Sequence, residues 1–196
     1  MRRIGIVIGT TRQGRFGDKP ATWIAGHLAR YQDLVGEIID LRDHDLPFFD
    51  EAMSPIYAMP NCPGASSWSQ RIAAMDGFIF VTAEYNHGIS GVLKNALDHA
   101  YREFNRKPAA FIGYGGVGAA RAVEQLRLIA VELQMAPLRH AVHITLEPYL
   151  AVVSGRNAID DFDFLNAGAA ALLDELVWWT EALAVARTPR MEAMPR

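Results

Sequence analysis

Apolar and polar positions along this chain switch repeatedly between two periods. Short runs rich in Ile, Val and Phe cover residues 3–8, 35–41, 78–82, 109–114 and 140–145 and read as strands. Between them, residues 17–31, 66–75, 91–104 and 117–134 read as helices; in the first, Ile24, Leu28 and Tyr31 fall at helical spacing. Ser66 or Ser67 is the expected N-cap of the second. A long proline-bearing connection fills 43–63, and a final helix over 160–186 carries Phe164, Leu172, Leu176 and Leu183 on its apolar positions. Residues 188–196 lose periodicity and are expected to form a mobile tail. Strand runs alternating with helical runs predict an α/β fold, doubly wound around a parallel sheet. With right-handed crossovers, the simplest five-stranded order is 2-1-3-4-5, in one domain over residues 1–187.

Composition changes this picture little. The 196 residues are 51% hydrophobic and 21% charged, which suits an ordinary globular domain. A net charge of −3 gives no reason to expect nucleic acid as a partner. Cys62 is the only cysteine, which excludes an internal disulfide and fits a reducing compartment. Behind Arg2 and Arg3 the apolar run 4–8 is too short for a signal-peptide core. No apolar span is long enough to cross a bilayer, so a soluble cytoplasmic protein is the expectation.

Chemistry concentrates in three loops. Strands one, three and four are neighbours in the expected order, so the loops after them line one crevice outside the carboxyl ends of the strands. The first, residues 9–17, offers the hydroxyls of Thr10 and Thr11, the guanidinium groups of Arg12 and Arg15, and a glycine-permitted run of N–H groups entering a helix. That set suits a phosphate monoester. It lacks the Gly-Lys-Ser/Thr ending of a nucleoside triphosphate loop, and a Gly/Thr turn with solvated arginines is the competing reading. The second loop carries Glu84, Tyr85, Asn86 and His87 between an apolar strand and a helix. The third, residues 113–118, formally matches G-x-G-x-x-G. A dinucleotide fingerprint belongs to the first strand–helix turn and needs an acid at the end of the next strand; here Glu132 falls too early, inside the following helix. Gly115 and Gly116 would instead admit a flat ring close to the backbone, or simply serve a tight turn.

Taken together, Gly9-Thr10-Thr11-Arg12, Ala83-Glu84-Tyr85-Asn86, the run Gly91-Val92-Leu93-Lys94-Asn95-Ala96-Leu97-Asp98 and Gly115-Gly116-Val117-Gly118 resemble the NADPH-dependent FMN reductase family over roughly residues 4–150. The resemblance implies a flavodoxin-like fold and non-covalent FMN with NADPH or NADH as co-substrate. It implies a small-molecule acceptor such as a quinone, free flavin, azo compound or chromate. It also implies a homodimer or homotetramer joined through the helices after strands three and four. It assigns the FMN phosphate to Thr10, Arg12, Arg15, Phe16 and Gly17, with Thr11 also among the cofactor-binding residues. Glu84, Tyr85, Asn86 and His87 go beside the ring, with Gly115 and Gly116 on its far side; no catalytic side chain and no metal are expected. Thr10 stands where the family has Ser, keeping the hydroxyl. Ala83 and Ser90 stand where it has prolines, which predicts a looser ring loop.

Other polar residues carry simpler readings. His140 and His143, three apart on a strand, face opposite sides and make a poor metal pair. Lys94 and Asp98 suit an i,i+4 surface pair, and Asn95 and His99 are candidate subunit contacts. Two further functions compete: a flavodoxin-type electron carrier that does not oxidise a nicotinamide, and a dehydrogenase using residues 113–118. The near-neutral charge speaks against the carrier, which commonly presents a charged docking face.

Overall fold

The computed structural model describes residues 1–62 and 64–188. The expected mobile tail falls, apart from Thr188, outside the described residues. Five parallel strands, β1 (Arg2–Ile8), β2 (Leu34–Asp40), β3 (Gly77–Ala83), β4 (Pro108–Tyr114) and β5 (Ala136–Ile144), form one sheet in the order β2-β1-β3-β4-β5. Helices α1 (Asp18–Leu28), α2 (Ala65–Ala73), α3 (Gly91–Asp98), α4 (Ala120–Glu132), α5 (Leu146–Val153) and α6 (Asp163–Arg187) flank it.

The central strands are buried on both faces, which is why they read as continuous apolar runs. Their alternation sorts two cores. Ile4, Ile6, Ile79, Val81 and Ile112 pack against Ile24 of α1 and Leu172 and Leu176 of α6. Val7, Phe78, Phe80 and Phe111 pack on the other face against Trp68 of α2, Leu93 of α3 and Leu126 of α4. Thus the chain leaves β1 toward one face and β3 toward the other. The order reverses between these strands, and a crevice opens there.

Several element boundaries differ from the sequence expectation. β5 begins at Ala136 and contains Pro137, which an edge strand tolerates because only one side of it is bonded. The α2 cap is Gly64 at φ 84°, not Ser66 or Ser67, and Ser67 Oγ donates back to the Gly64 carbonyl at 2.9 Å. α3 stops at Asp98, where His99 leaves the helix. α4 starts at Ala120 behind Ala119 in the left-handed region, and α6 starts at Asp163 after a 3-10 turn, Ile159–Asp161. α5 was not foreseen at all, although Thr145 ahead of Leu146-Glu147-Pro148 is a helix-start pattern. Asn95 and His99 face inward, toward the 44–62 connection. Asn95 accepts from Phe49 N–H at 2.9 Å and donates to Pro47 O at 2.8 Å, and the same carbonyl lies 2.8 Å from His99 Nε2. Lys94 and Asp98 form the expected surface pair at 2.7 Å. His140 pairs with Glu175, while His143 Nδ1 reaches Gly118 O at 2.8 Å.

At the end of the sheet away from the crevice, the buried Lys107 ammonium donates to the last carbonyls of α2, Ile72 O at 3.0 Å and Ala73 O at 3.1 Å. Burial, with Arg187 nearby, lowers its pKa to about 8. The unfolded chain therefore keeps a proton that the folded chain releases between about pH 8 and the ordinary lysine value. Stability from this group rises with pH across that window. Urea midpoints of wild type and Lys107→Met, measured at pH 8 and pH 10, are expected to separate in favour of wild type at the higher pH. A constant separation would show that burial does not penalise the ammonium.

Candidate functional site

The crevice is a cleft of about 230 Å³ lined by Arg12, Gly14, Arg15 and Phe16 after β1, by Ala83 at the end of β3 and by Glu84 and Tyr85 after it. Tyr114 at the end of β4, Gly115 and Gly116 after it, and Tyr149 of α5 complete it. Three of the four contributing segments are the loops singled out in the sequence. Tyr114 and Tyr149 were not, the second because its helix was missed. Their rings stack nearly parallel (6°) at 6.5 Å, and Phe16 packs against both at 5.1 and 4.7 Å, making an aromatic wall.

Residues 9–17 form an irregular turn whose carbonyls are tied down from outside. Arg15 Nη1 donates to Thr10 O at 2.6 Å. Arg42 Nε donates to Thr11 O at 3.2 Å, and its Nη2 to Arg12 O at 2.5 Å. The N–H groups of Thr11, Arg12 and Gln13 have no partner among the described residues. Thr10 is fully buried, its Oγ 3.1 Å from the Tyr114 hydroxyl; burial pushes that phenol up to about 12, so it stays protonated. Thr11 lines a separate cleft, with Arg42, His44 and Asn95, on the β2 side. Arg12 is exposed, whereas the Arg15 side chain is 2% exposed and paired with Asp18 and Asp40.

The β3 loop is a two-residue turn. Tyr85 and Gly88 exchange N–H···O bonds of 2.9 and 3.0 Å, and Asn86 and His87 sit at φ 51° and 69°. Positive φ at both central residues is the type I′ geometry, in which Asn is favoured at the first position and Gly is usual at the second, where His stands here. The N–H groups of Asn86 and His87 are unpartnered among the described residues. Glu84 lines the cleft with its carboxylate already engaged. It accepts from Arg121 Nε at 2.5 Å and from Arg121 N–H at 3.2 Å, at the start of α4. Burial would raise its carboxyl, but Arg121 and those N–H groups outweigh it and hold the pKa low. Gln125 Nε2 donates to His87 O at 2.9 Å, adding a second tie between the turn and α4.

Ser90 corrects the expectation of a loose ring loop. Its buried hydroxyl donates to Gly9 O at 2.5 Å and accepts from Leu93 N–H at 3.1 Å, capping α3 and joining the first two loops. Its φ of −64° is also the value a proline would impose. In the β4 loop, a Cβ on Gly113 would lie 2.3 Å from Gly118 O, so the loop's own folding accounts for glycine there. Gly115 and Gly118 need glycine for their φ of +126° and +61°, so the backbone alone accounts for the G-x-G-x-x-G spacing. Among the described residues there is no group of three metal-ligating side chains, and no helix is long and apolar enough to cross a membrane.

This arrangement can be set beside known proteins. A family model described as NADPH-dependent FMN reductase matches residues 2–147. The chain belongs to the NADPH-dependent FMN reductase family. It is 35% identical over 144 residues to an NAD(P)H-dependent FMN reductase of Schizosaccharomyces pombe, covering 71% of this chain and 72% of that one. It is 32% identical over 144 residues to a 2-hydroxy-1,4-benzoquinone reductase of a Burkholderia species, covering 68% and 72%. In structure it is similar to FerB, a flavoenzyme NAD(P)H:(acceptor) oxidoreductase of Paracoccus denitrificans, with TM-score 0.71, 23% identity and coverage of 93% and 98%. The fold is flavodoxin-like, and the protein is an FMN-dependent NAD(P)H oxidoreductase.

Replacing Ser90 by Ala removes a buried bond to Gly9 O and the cap on Leu93 N–H. It is expected to cost about 1–2 kcal/mol, read as a lower urea midpoint at unchanged slope. An unshifted midpoint would show that the loop does not rely on this hydroxyl.

Proposed function

We propose that the cleft holds FMN with its phosphate in the 9–17 turn and its ring between the 84–88 turn and the β4 loop, and that NAD(P)H and a small electron acceptor use it in succession. The observation that carries this reading is that one cleft brings together Arg12 and a turn with unpartnered N–H groups on the one hand, and aromatic and glycine-lined surface on the other. A phosphate dianion needs the first, and a flat apolar ring the second. At Gly116 a Cβ would meet nothing within 4 Å, and its φ is not of the left-handed kind. Nothing in the protein demands glycine there, whereas a ring lying against the backbone does.

Thr10, Thr11, Arg12, Phe16 and Gly17 are the residues proposed around the phosphate, with Tyr85, Asn86, His87, Gly115 and Gly116 around the ring. Glu84 serves as the strut that fixes the ring turn on α4. Bound FMN supplies a hydride-accepting atom and a two-electron store. The N–H groups of Asn86 and His87 are donors of fixed direction at the ring's edge, where reduction places negative charge; they favour the reduced state without reorganising. No side-chain nucleophile is required. The acceptor is a planar or diffusible oxidant of the quinone, free-flavin, azo or chromate class. Residues 1–187 act as one domain of a cytoplasmic homodimer or homotetramer. Support for α3 and α4 as its interface comes from Val92, Leu128 and Val131, which are 39%, 74% and 60% exposed.

The purified protein is expected to be yellow, with FMN absorbance bleached by NADPH or NADH without oxygen and restored by a quinone. A protein that takes up no FMN would overturn the reading, and one that binds FMN but ignores both nicotinamides would be an electron carrier instead. Arg12→Ala removes a charged phosphate donor and is expected to raise the FMN dissociation constant about tenfold or more, with riboflavin binding unchanged. Equal loss for both flavins would place Arg12 away from the phosphate.

A further inference from the structure

We propose that Arg15 is a brace and not a phosphate ligand: locked between Asp18 and Asp40, it works with Arg42 to hold the carbonyls of residues 10–12 outward, so that the N–H groups of residues 11–13 face the phosphate. The inference rests on the FMN reading above and reassigns one residue within it.

The donor count decides against direct contact. A guanidinium has five N–H groups. On Arg15, Nε lies 3.0 and 3.1 Å from the two Asp18 oxygens. Nη1 donates to Thr10 O and to Asp40 Oδ1, both at 2.6 Å. Nη2 donates to Asp18 Oδ1 at 2.5 Å and to Asp40 Oδ2. None is left for a ligand. One guanidinium set between two carboxylates is also a net negative unit, which gives an approaching dianion no attraction.

What the unit does is geometric. A trans peptide is planar, so the C=O of one residue and the N–H of the next point in opposite directions. Anchoring the carbonyls of Thr10, Thr11 and Arg12 on arginines therefore turns the N–H groups of Thr11, Arg12 and Gln13 the other way, and these three are among the N–H groups of the turn that have no partner among the described residues. Successive N–H groups fixed in this manner make an anion-binding concavity. Asp40 is the hub. Its carboxylate receives Arg15 and also accepts from the backbone N–H of Arg42 at 2.9 Å, so the end of β2 sets both braces at once.

The two roles predict opposite signs for Asp40→Asn. If Arg15 bound phosphate, losing a neighbouring negative charge and releasing the guanidinium would tighten FMN. If Arg15 is a brace, FMN binding weakens about tenfold while riboflavin, which has no phosphate, binds as in wild type. Asp18→Asn, at a half-exposed helix start, is expected to shift FMN in the same direction and guards against a variant that fails to fold. Both dissociation constants are read by flavin fluorescence. Backbone ¹⁵N order parameters of residues 11–13 in flavin-free full-length protein give a readout independent of FMN. They are expected near the rigid value of about 0.85 in wild type and below about 0.6 in Asp40→Asn. Unchanged or tighter FMN binding, or unchanged order parameters, overturns the brace. Should wild type bind neither flavin, the functional reading falls and the order parameters alone decide the role of Arg15.

Discussion

Burial of the central strands on both faces is the constraint from which the rest of this structure follows. β1, β3 and β4 expose almost nothing, so helices must cover both sides of the sheet. α1 and α6 take one side; α2, α3 and α4 take the other. Two neighbouring strands whose chains depart to opposite faces carry their following loops apart beyond the strand ends, where Ser90 still ties the second loop to Gly9. The cleft is that separation between the β1 and β3 exits, widened by β4. Its position is a consequence of topology, and its chemistry then depends on which side chains the loops carry.

The loops are made stiff by contacts between them more than by contacts within them. Ser90 joins the β3 loop to Gly9, Glu84 and Gln125 join the 84–88 turn to α4, and His143 holds Gly118 from β5. Each tie crosses from one strand's exit to another's. A site built this way is as rigid as the sheet beneath it, which is what a flavin pocket with donors of fixed direction requires. The left-handed Asn86 and His87 are tolerated because Tyr85, Gly88 and Gln125 hold the turn on three sides.

Much of this was legible in the sequence, and the gaps have physical causes. The strands stood out because two-sided burial writes an uninterrupted apolar run. β5 was cut short the most, by four residues at its start, since Pro137 reads as a breaker unless the strand is known to lie at an edge. The three loops that line the cleft stood out because each follows such a run. Tyr114 and Tyr149 were overlooked as wall residues: a buried Tyr ending a strand looks like core, and α5 was too short to announce itself by periodicity. The looseness expected at Ser90 is absent because its buried hydroxyl supplies the constraint that a proline would supply through its ring. Its partner, Gly9, lies far away in sequence. Asp18 beside Arg15 was visible at i+3, but Asp40 on the next strand was not, and without it Arg15 counts as a free cation.

That last case bears on how phosphate sites are read from sequence. Counting basic residues in a glycine-containing turn treats every cation as attraction, yet the Arg15 cluster carries more negative than positive charge. A buried ion cluster of this kind offers little net stability, because desolvation consumes most of the attraction. What it offers is a guanidinium held to one position, and through it a peptide plane held to one orientation. The backbone N–H groups bring partial charge already aimed and already stripped of competing partners, so little ordering remains to be done when a phosphate arrives. In this turn the buried arginine contributes geometry, and the attraction is left to Arg12 and the backbone.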